Sequence, residues 1–211
     1  AEGTNARVIP VAGDMSVAAD TDRVVAEATE ALGQIDILVN NAGSAPLGMI
    51  GDIDDATWQS SFDLKLMGYV RCARTVMVPM RQRRWGRIIN VIGNGGHFPT
   101  AKYIAGGAIN AAILNITQAL AEECGPENVL VNGVNPTATA TDRWAELVKQ
   151  RMKMTGETEE QIYEEAASKN PIGRIGQPED IANMVVFLCS ERASFVNGAL
   201  IEVDGGATRA L

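Results

Sequence analysis

Histidine occurs once in this chain of 211 residues and cysteine three times. Cys72, Cys124 and Cys189 are odd in number, far apart and set in apolar helical contexts, which argues against a disulfide framework and gives no metal-ligand spacing. Such usage fits a reducing compartment, and a cytoplasmic protein is expected. An excess of lysine and arginine is also missing. With a formal charge of −8 and a pI of about 4.7, neither nucleic-acid phosphate nor an anionic membrane is an expected partner. The one basic run, RQRRWGR (81–87), reads as a solvated helix end with its cations near the negative end of the helix dipole. No apolar run approaches the roughly 18 residues of a membrane span, and AEGTNARVIPVAG at the start has no signal-peptide pattern. Repeats and low-complexity linkers are absent, so residues 1–211 are expected to form one domain.

What is present alternates. Short β-rich runs, RVIPVAG (7–13), IDILVNN (35–41), GRIINVIG (86–93), NVLVNGV (128–134) and ALIEVDG (199–205), are separated by segments of helical period at roughly 17–32, 55–83, 101–124, 142–168 and 178–189. This order predicts an α/β fold, a doubly wound parallel sheet with helices on both faces. Such a sheet normally opens with a strand, a glycine-rich turn and a helix, yet no such turn precedes Arg7, and the first run reads as a third strand. Either roughly 40–60 residues precede Ala1 or the domain is incomplete; the former is expected, because two lost strands would leave the middle of the sheet unpaired.

LVNNAG (38–43) closes a buried strand with two amides and a glycine. Neighbouring asparagines can bridge strand ends, and Ala42 and Gly43 let a ring or ribose approach the backbone. Alone, the motif reads equally well as a turn. Around it, Asp14 ends the preceding run in AGDMS, GRIINV follows a long helix, and the C-terminal stretch is NPIGRIGQPEDIANMVVFLCSERASFVNGALIEVDGG. This ordered set resembles the short-chain dehydrogenase/reductase family over the whole chain apart from the front. The resemblance implies a Rossmann-type sheet, NAD or NADP lying across the C-terminal strand edges, and hydride exchange with a small-molecule carbonyl or alcohol whose oxygen a tyrosine protonates. It also implies that Asp14 and Met15 flank the adenine, that Asn41, Ala42 and Gly43 lie against its ribose, and that PTATAT (136–141) grips the nicotinamide end. In that segment Pro136 leads, Thr137 stands where glycine is usual and stiffens the loop, and Thr139 and Thr141 offer backbone atoms and a hydroxyl. NAD and NADP are not distinguished, since the residue that meets the 2′ position follows the family's second strand.

The family's active site uses Asn, Ser, Tyr and Lys. Counted from Trp58, the asparagine position falls on Lys65; counted from GRIINV, the serine position falls on Gly93. TQALAEE (117–123) registers the next helix and places the tyrosine position at Gly106 and the lysine position at Asn110, so all four usual residues are replaced. Tyr103, three residues before Gly106 and seven before Asn110, would share their helix face one turn nearer the N-terminus. Lysine and asparagine look exchanged between the two helices. Lys65 near Tyr103 would favour phenolate, Asn110 would hold a water or ribose hydroxyl, and Asn94 would donate to a substrate oxygen in place of serine. The candidate catalytic set is therefore Tyr103, Lys65, Asn110 and Asn94. The plainer readings are a Tyr103 packed at the start of a helix and a Lys65 that snorkels at the surface. His97 reads as a surface or packing residue, and GNGG (93–96) as a flexible turn beneath the substrate. Segment 142–174 occupies the substrate-loop position, where Trp144, Leu147, Met152, Met154, Ile162 and Tyr163 form either a mobile lid, hinged near Gly156, or a hairpin packed on the domain. Apolar residues on more than one face of the helices at 55–83 and 101–124 suit a homo-oligomer, a tetramer or alternatively a dimer. Two functions stay open: an NAD(P)-dependent oxidoreductase with a divergent site, and a non-catalytic relative that binds a nucleotide or metabolite.

Overall fold

The structure, a computed structural model, describes residues 6–209. Its strands are β1 (Ile37–Asn40), β2 (Gly86–Val91), β3 (Val129–Pro136) and β4 (Leu200–Val203), all parallel and neighbours in that order. Ile88 pairs with Leu38 on one side and Val131 on the other, and Asn90 with Asn40 and Gly133. β2 and β3 are buried on both faces, as the continuous apolar runs of a helix-covered parallel sheet require.

The helices are α1 (Ala18–Leu32), α2 (Asp55–Ser61), α3 (Gly68–Arg83), α4 (Ile104–Cys124), α5 (Asp142–Thr155), α6 (Glu159–Ser168) and α7 (Pro178–Cys189). Alternation along the strands divides the core. Ile88, Val129 and Val131 face Val25 of α1, Val76 and Met80 of α3 and Ala121 of α4, whereas Ile89 and Val134 meet Leu188 and Ile181 of α7. At the C-terminal end of the sheet, Leu66, Tyr69, Ile92, Ile109 and Ile113 form a third cluster that fixes α4 relative to the segment before α3. A buried polar chain ties the same region: Asn40 Nδ2 donates to Asn90 Oδ1 at 2.9 Å, Asn90 Nδ2 to Thr117 Oγ1 at 2.9 Å, and Thr117 Oγ1 to Ile113 O at 2.7 Å.

Several expectations are corrected. RVIPVAG forms no strand, because a ladder needs a partner and β1 has no neighbour on its outer edge among the described residues. The helix expected over 55–83 is interrupted by a π-helical stretch, Phe62–Met67, between α2 and α3. The helix expected over 142–168 breaks at Gly156, whose φ of 76° ends α5, and a Thr158–Gln161 capping box starts α6. The basic run is not wholly solvated: Arg87 is fully buried in β2 and stacks on Trp85, its guanidinium carbon 4.5 Å from the ring centroid. α4 with its following turn, Ile104–Glu127, has a window apolar enough by composition to match a membrane span, but half of that window is buried inside this fold.

Candidate active site

The C-terminal ends of the strands open into a cavity of about 820 Å³. Its walls come from the loops after β1, β2 and β3, from the first turns of α5 and from α7, the place where sheets of this type bind ligands.

Lys65 enters from the π-helical stretch, a kind of helix defect that recurs at functional sites. Its stem lies against Gly43, where an added Cβ would sit 2.7 Å from Lys65 Cδ; a larger residue at 43 would displace it. The ammonium donates to Ile92 O and, at 2.7 Å, to Asn110 Oδ1. Asn110, itself buried, donates through Nδ2 to Gly93 O at 3.4 Å. Gly93 holds a φ of 117°, and a Cβ there would meet Asn110 Nδ2 at 3.0 Å. Three of the four departures from the family pattern therefore form one hydrogen-bonded unit. Burial, reinforced by the Arg143 guanidinium, pushes the Lys65 ammonium down to a pKa of about 8.

Tyr103 accounts for the fourth departure. It is the N-cap of α4, with φ −132° and ψ 39°, so it does not continue the helical face as expected. Its ring folds back over Gly106, where an added Cβ would lie 2.1 Å from Tyr103 Cζ. A β-bridge between Gly48 and Tyr103 pins the backbone, Gly48 N donating to Lys102 O at 2.8 Å. The hydroxyl has no hydrogen-bond partner among the described residues and is not fully buried, and Tyr103 lines the cavity. Burial raises the phenol pKa, and the cation that opposes the rise is Arg143. Lys65, expected to be that cation, is instead held by Ile92 and Asn110.

Asn94 lines the cavity, and its carbonyl accepts from the backbone N–H groups of His97 and Phe98, which makes GNGG a tight 3₁₀ turn. His97 lies outside the cavity wall, its Nδ1 2.8 Å from Glu202 Oε1. Of the expected cofactor residues, Asn41, Gly43, Pro136, Thr137, Thr139 and Thr141 line the cavity. The Thr139 hydroxyl donates to Thr137 O at 3.0 Å, and the Thr141 hydroxyl accepts from Trp144 N at 3.2 Å, capping α5. Met15 and Ala42, with Asn41, line a second, largely apolar groove of about 290 Å³ along β1. Asp14 lines neither and instead accepts from Ser16 N and Oγ, which hold its carboxyl below the usual range. A volume of this size, walled by Tyr103 and by Pro136, Thr137, Ala138, Thr139 and Thr141, suits the nicotinamide end of a dinucleotide with a small substrate beside it.

The sequence profile described as Enoyl-(Acyl carrier protein) reductase matches residues 1–208. This chain belongs to the short-chain dehydrogenase/reductase family. It is 33% identical over 213 residues to the NADPH-dependent reductase BacG of Bacillus subtilis (strain 168), spanning all of this chain and 82% of that protein. It is 32% identical over 206 residues to an NAD-dependent glycerol dehydrogenase of Listeria innocua serovar 6a, spanning 96% of this chain and 76% of that protein. The crystal structure of L-sorbose reductase from Gluconobacter frateurii, complexed with NADPH and L-sorbose, matches with a TM-score of 0.91 at 34% identity, covering all of this chain and 80% of that one. The short-chain dehydrogenase/reductase chain described here is thus an NAD(P)-dependent oxidoreductase of the carbonyl/alcohol class.

Within this family member, sequence reasoning missed Arg143. The residue reads as an ordinary charge at the start of α5, and the signal that would have raised it is its place two residues after the PTATAT segment. Trp144 and Leu147 of the expected substrate segment line the cavity, Ile162 and Val148 are buried beneath, and Met154 is exposed.

Proposed function

We propose that this chain interconverts a carbonyl compound and an alcohol, with Tyr103 as the group that gives the proton to, or takes it from, the substrate oxygen. The observation that carries the reading is the Tyr103 ring seated over Gly106 in the cavity wall, its hydroxyl without a hydrogen-bond partner among the described residues. A phenol kept neutral by burial is a proton donor throughout the neutral range. Lys65, fixed by Ile92 O and Asn110 Oδ1, presents its third N–H and a positive charge beside the same space, and the Asn94 amide offers a further donor. Asn110 acts here as a positioning residue. Pro136, Thr137, Thr139 and Thr141 would hold the nicotinamide half of NAD or NADP, with Asn41, Ala42 and Gly43 against the adenine's ribose and Asp14 and Met15 beside the adenine; the bound cofactor supplies or accepts the hydride.

The same reading takes 1–211 as a single Rossmann-type domain whose segment 142–174 shapes the substrate end through Trp144 and Leu147. It also takes the protein as cytoplasmic, in keeping with three unpaired thiols, and as a homotetramer, with a dimer as the alternative.

The test is NADPH and NADH consumption against a panel of carbonyl compounds. Tyr103→Phe should lower kcat by about 10²-fold or more, the scale of general acid catalysis. An unaltered rate removes Tyr103 from the mechanism, and cofactor binding with no turnover of any compound favours a sensor.

A further inference from the structure

In a chain of net charge −8, the cavity wall holds two cations, Lys65 and Arg143, and no aspartate or glutamate. Like charges around a half-enclosed space repel unless an anion sits between them. Burial is the main cause of the lowered Lys65 pKa and the raised Tyr103 pKa, and the Arg143 guanidinium adds to the first and opposes the second. Its field thus reaches both groups placed at the reacting oxygen. Arg143 is held in position, Nη2 donating to Ala45 O in the loop after β1 and Nη1 to the exposed Glu146 at 3.3 Å, while Nε makes no hydrogen bond among the described residues. Arginine with spare donors and a second cation, in a wall free of carboxylates, describe a site for a planar anion. Leu147, Ile181 and Val185 in the same wall suit an alkyl remainder.

Building on the oxidoreductase reading, we propose that the substrate is an oxo acid or hydroxy acid whose carboxylate Arg143 binds, with Lys65 facing it across the cavity. A cofactor phosphate is the other source of such an anion, and the experiment separates the two.

With NADPH present, kcat/KM is measured for 2-oxohexanoate and 4-oxopentanoate beside their methyl esters, in the parent and in Arg143→Gln and Arg143→Lys, and the NADPH Kd by cofactor fluorescence. For at least one pair, the parent should prefer the acid by about tenfold or more, Arg143→Gln should bring the ratio close to one, and Arg143→Lys should keep part of it. Equal use of acid and ester, or a ratio that survives Arg143→Gln, overturns the proposal. So does an Arg143→Gln variant that binds NADPH more weakly and keeps its acid preference, which assigns the anion to the cofactor. Should nothing be turned over, the oxidoreductase reading suffers alone, and calorimetric titration of the two acids into the enzyme–NADPH complex decides this one. Binding of an acid with proton uptake just above pH 8, absent in Lys65→Met, supports the proposal, since an anion strengthens the charged form of Lys65. No binding of either acid overturns it.

Discussion

A lysine brought out of water needs acceptors, and Lys65 finds two, the Ile92 carbonyl and the Asn110 amide oxygen. That contact gives a physical reason for the exchanged residue types: the ammonium now arrives from the π-helical stretch, and the amide waits for it on α4. Because the folded protein holds the Lys65 pKa at about 8, below its ordinary 10.5, keeping it charged costs stability below pH 8. The cost fades as pH rises from 8 towards 10.5. The same titration should appear in catalysis. We predict that kcat/KM for carbonyl reduction falls as pH rises through about 8, and that Lys65→Met is slower and flat across that interval. Steady-state pH profiles of the two proteins check this, and identical limbs near pH 8 would exclude Lys65.

Elements carry the site through a polar seam. Asn40 on β1, Asn90 on β2 and Thr117 on α4 are buried and bonded in series, so each is satisfied only while the three elements keep their register. Asn90→Ala strips the Asn40 amide of its acceptor and the Thr117 hydroxyl of its donor. The expected loss is about 2 kcal/mol in urea unfolding, within the usual cost of an unsatisfied buried group. A loss near zero would mean that water replaces the amide. The four-strand parallel sheet and most of its helices were legible from the alternation of β-rich and helical runs. The 7–13 strand was not, since pattern shows a strand's propensity and not its partner. Nor was the π-helical stretch, because its extra residue leaves the apolar periodicity of 55–83 readable as one helix. At the site, the family resemblance, carried along the chain by residue spacing, placed Lys65, Gly93, Gly106 and Asn110 at the family's active-site positions. The return of the Tyr103 ring over Gly106 depends on a non-helical N-cap torsion that no spacing reveals, and Arg143 meets the cavity through a fold contact remote in sequence.

Over the whole molecule, charge and exposure point in separate directions. A chain of net charge −8 keeps an acid-free cavity, while apolar surface is left elsewhere: Phe195 is fully exposed, and Val186 on α7 and Val78 on α3 are more than half exposed. Exposed apolar residues on the helices and beside β4 fit the proposed self-association. Sedimentation velocity should show a tetramer, and Phe195→Asp should shift the protein to a smaller species. A parent protein that sediments as a monomer would contradict the assembly without touching the site.

The central claim is that the glycine at 106 exists to seat the Tyr103 ring as the proton donor. A double-mutant cycle of Tyr103→Phe, Gly106→Ala and the two combined, read as kcat, tests it most directly. Since a Cβ at 106 would lie 2.1 Å from Tyr103 Cζ, it must move the ring. Each single change should therefore cost about 10²-fold, and the pair no more than either alone. Losses that multiply, or a Gly106→Ala enzyme as fast as the parent, would contradict the account.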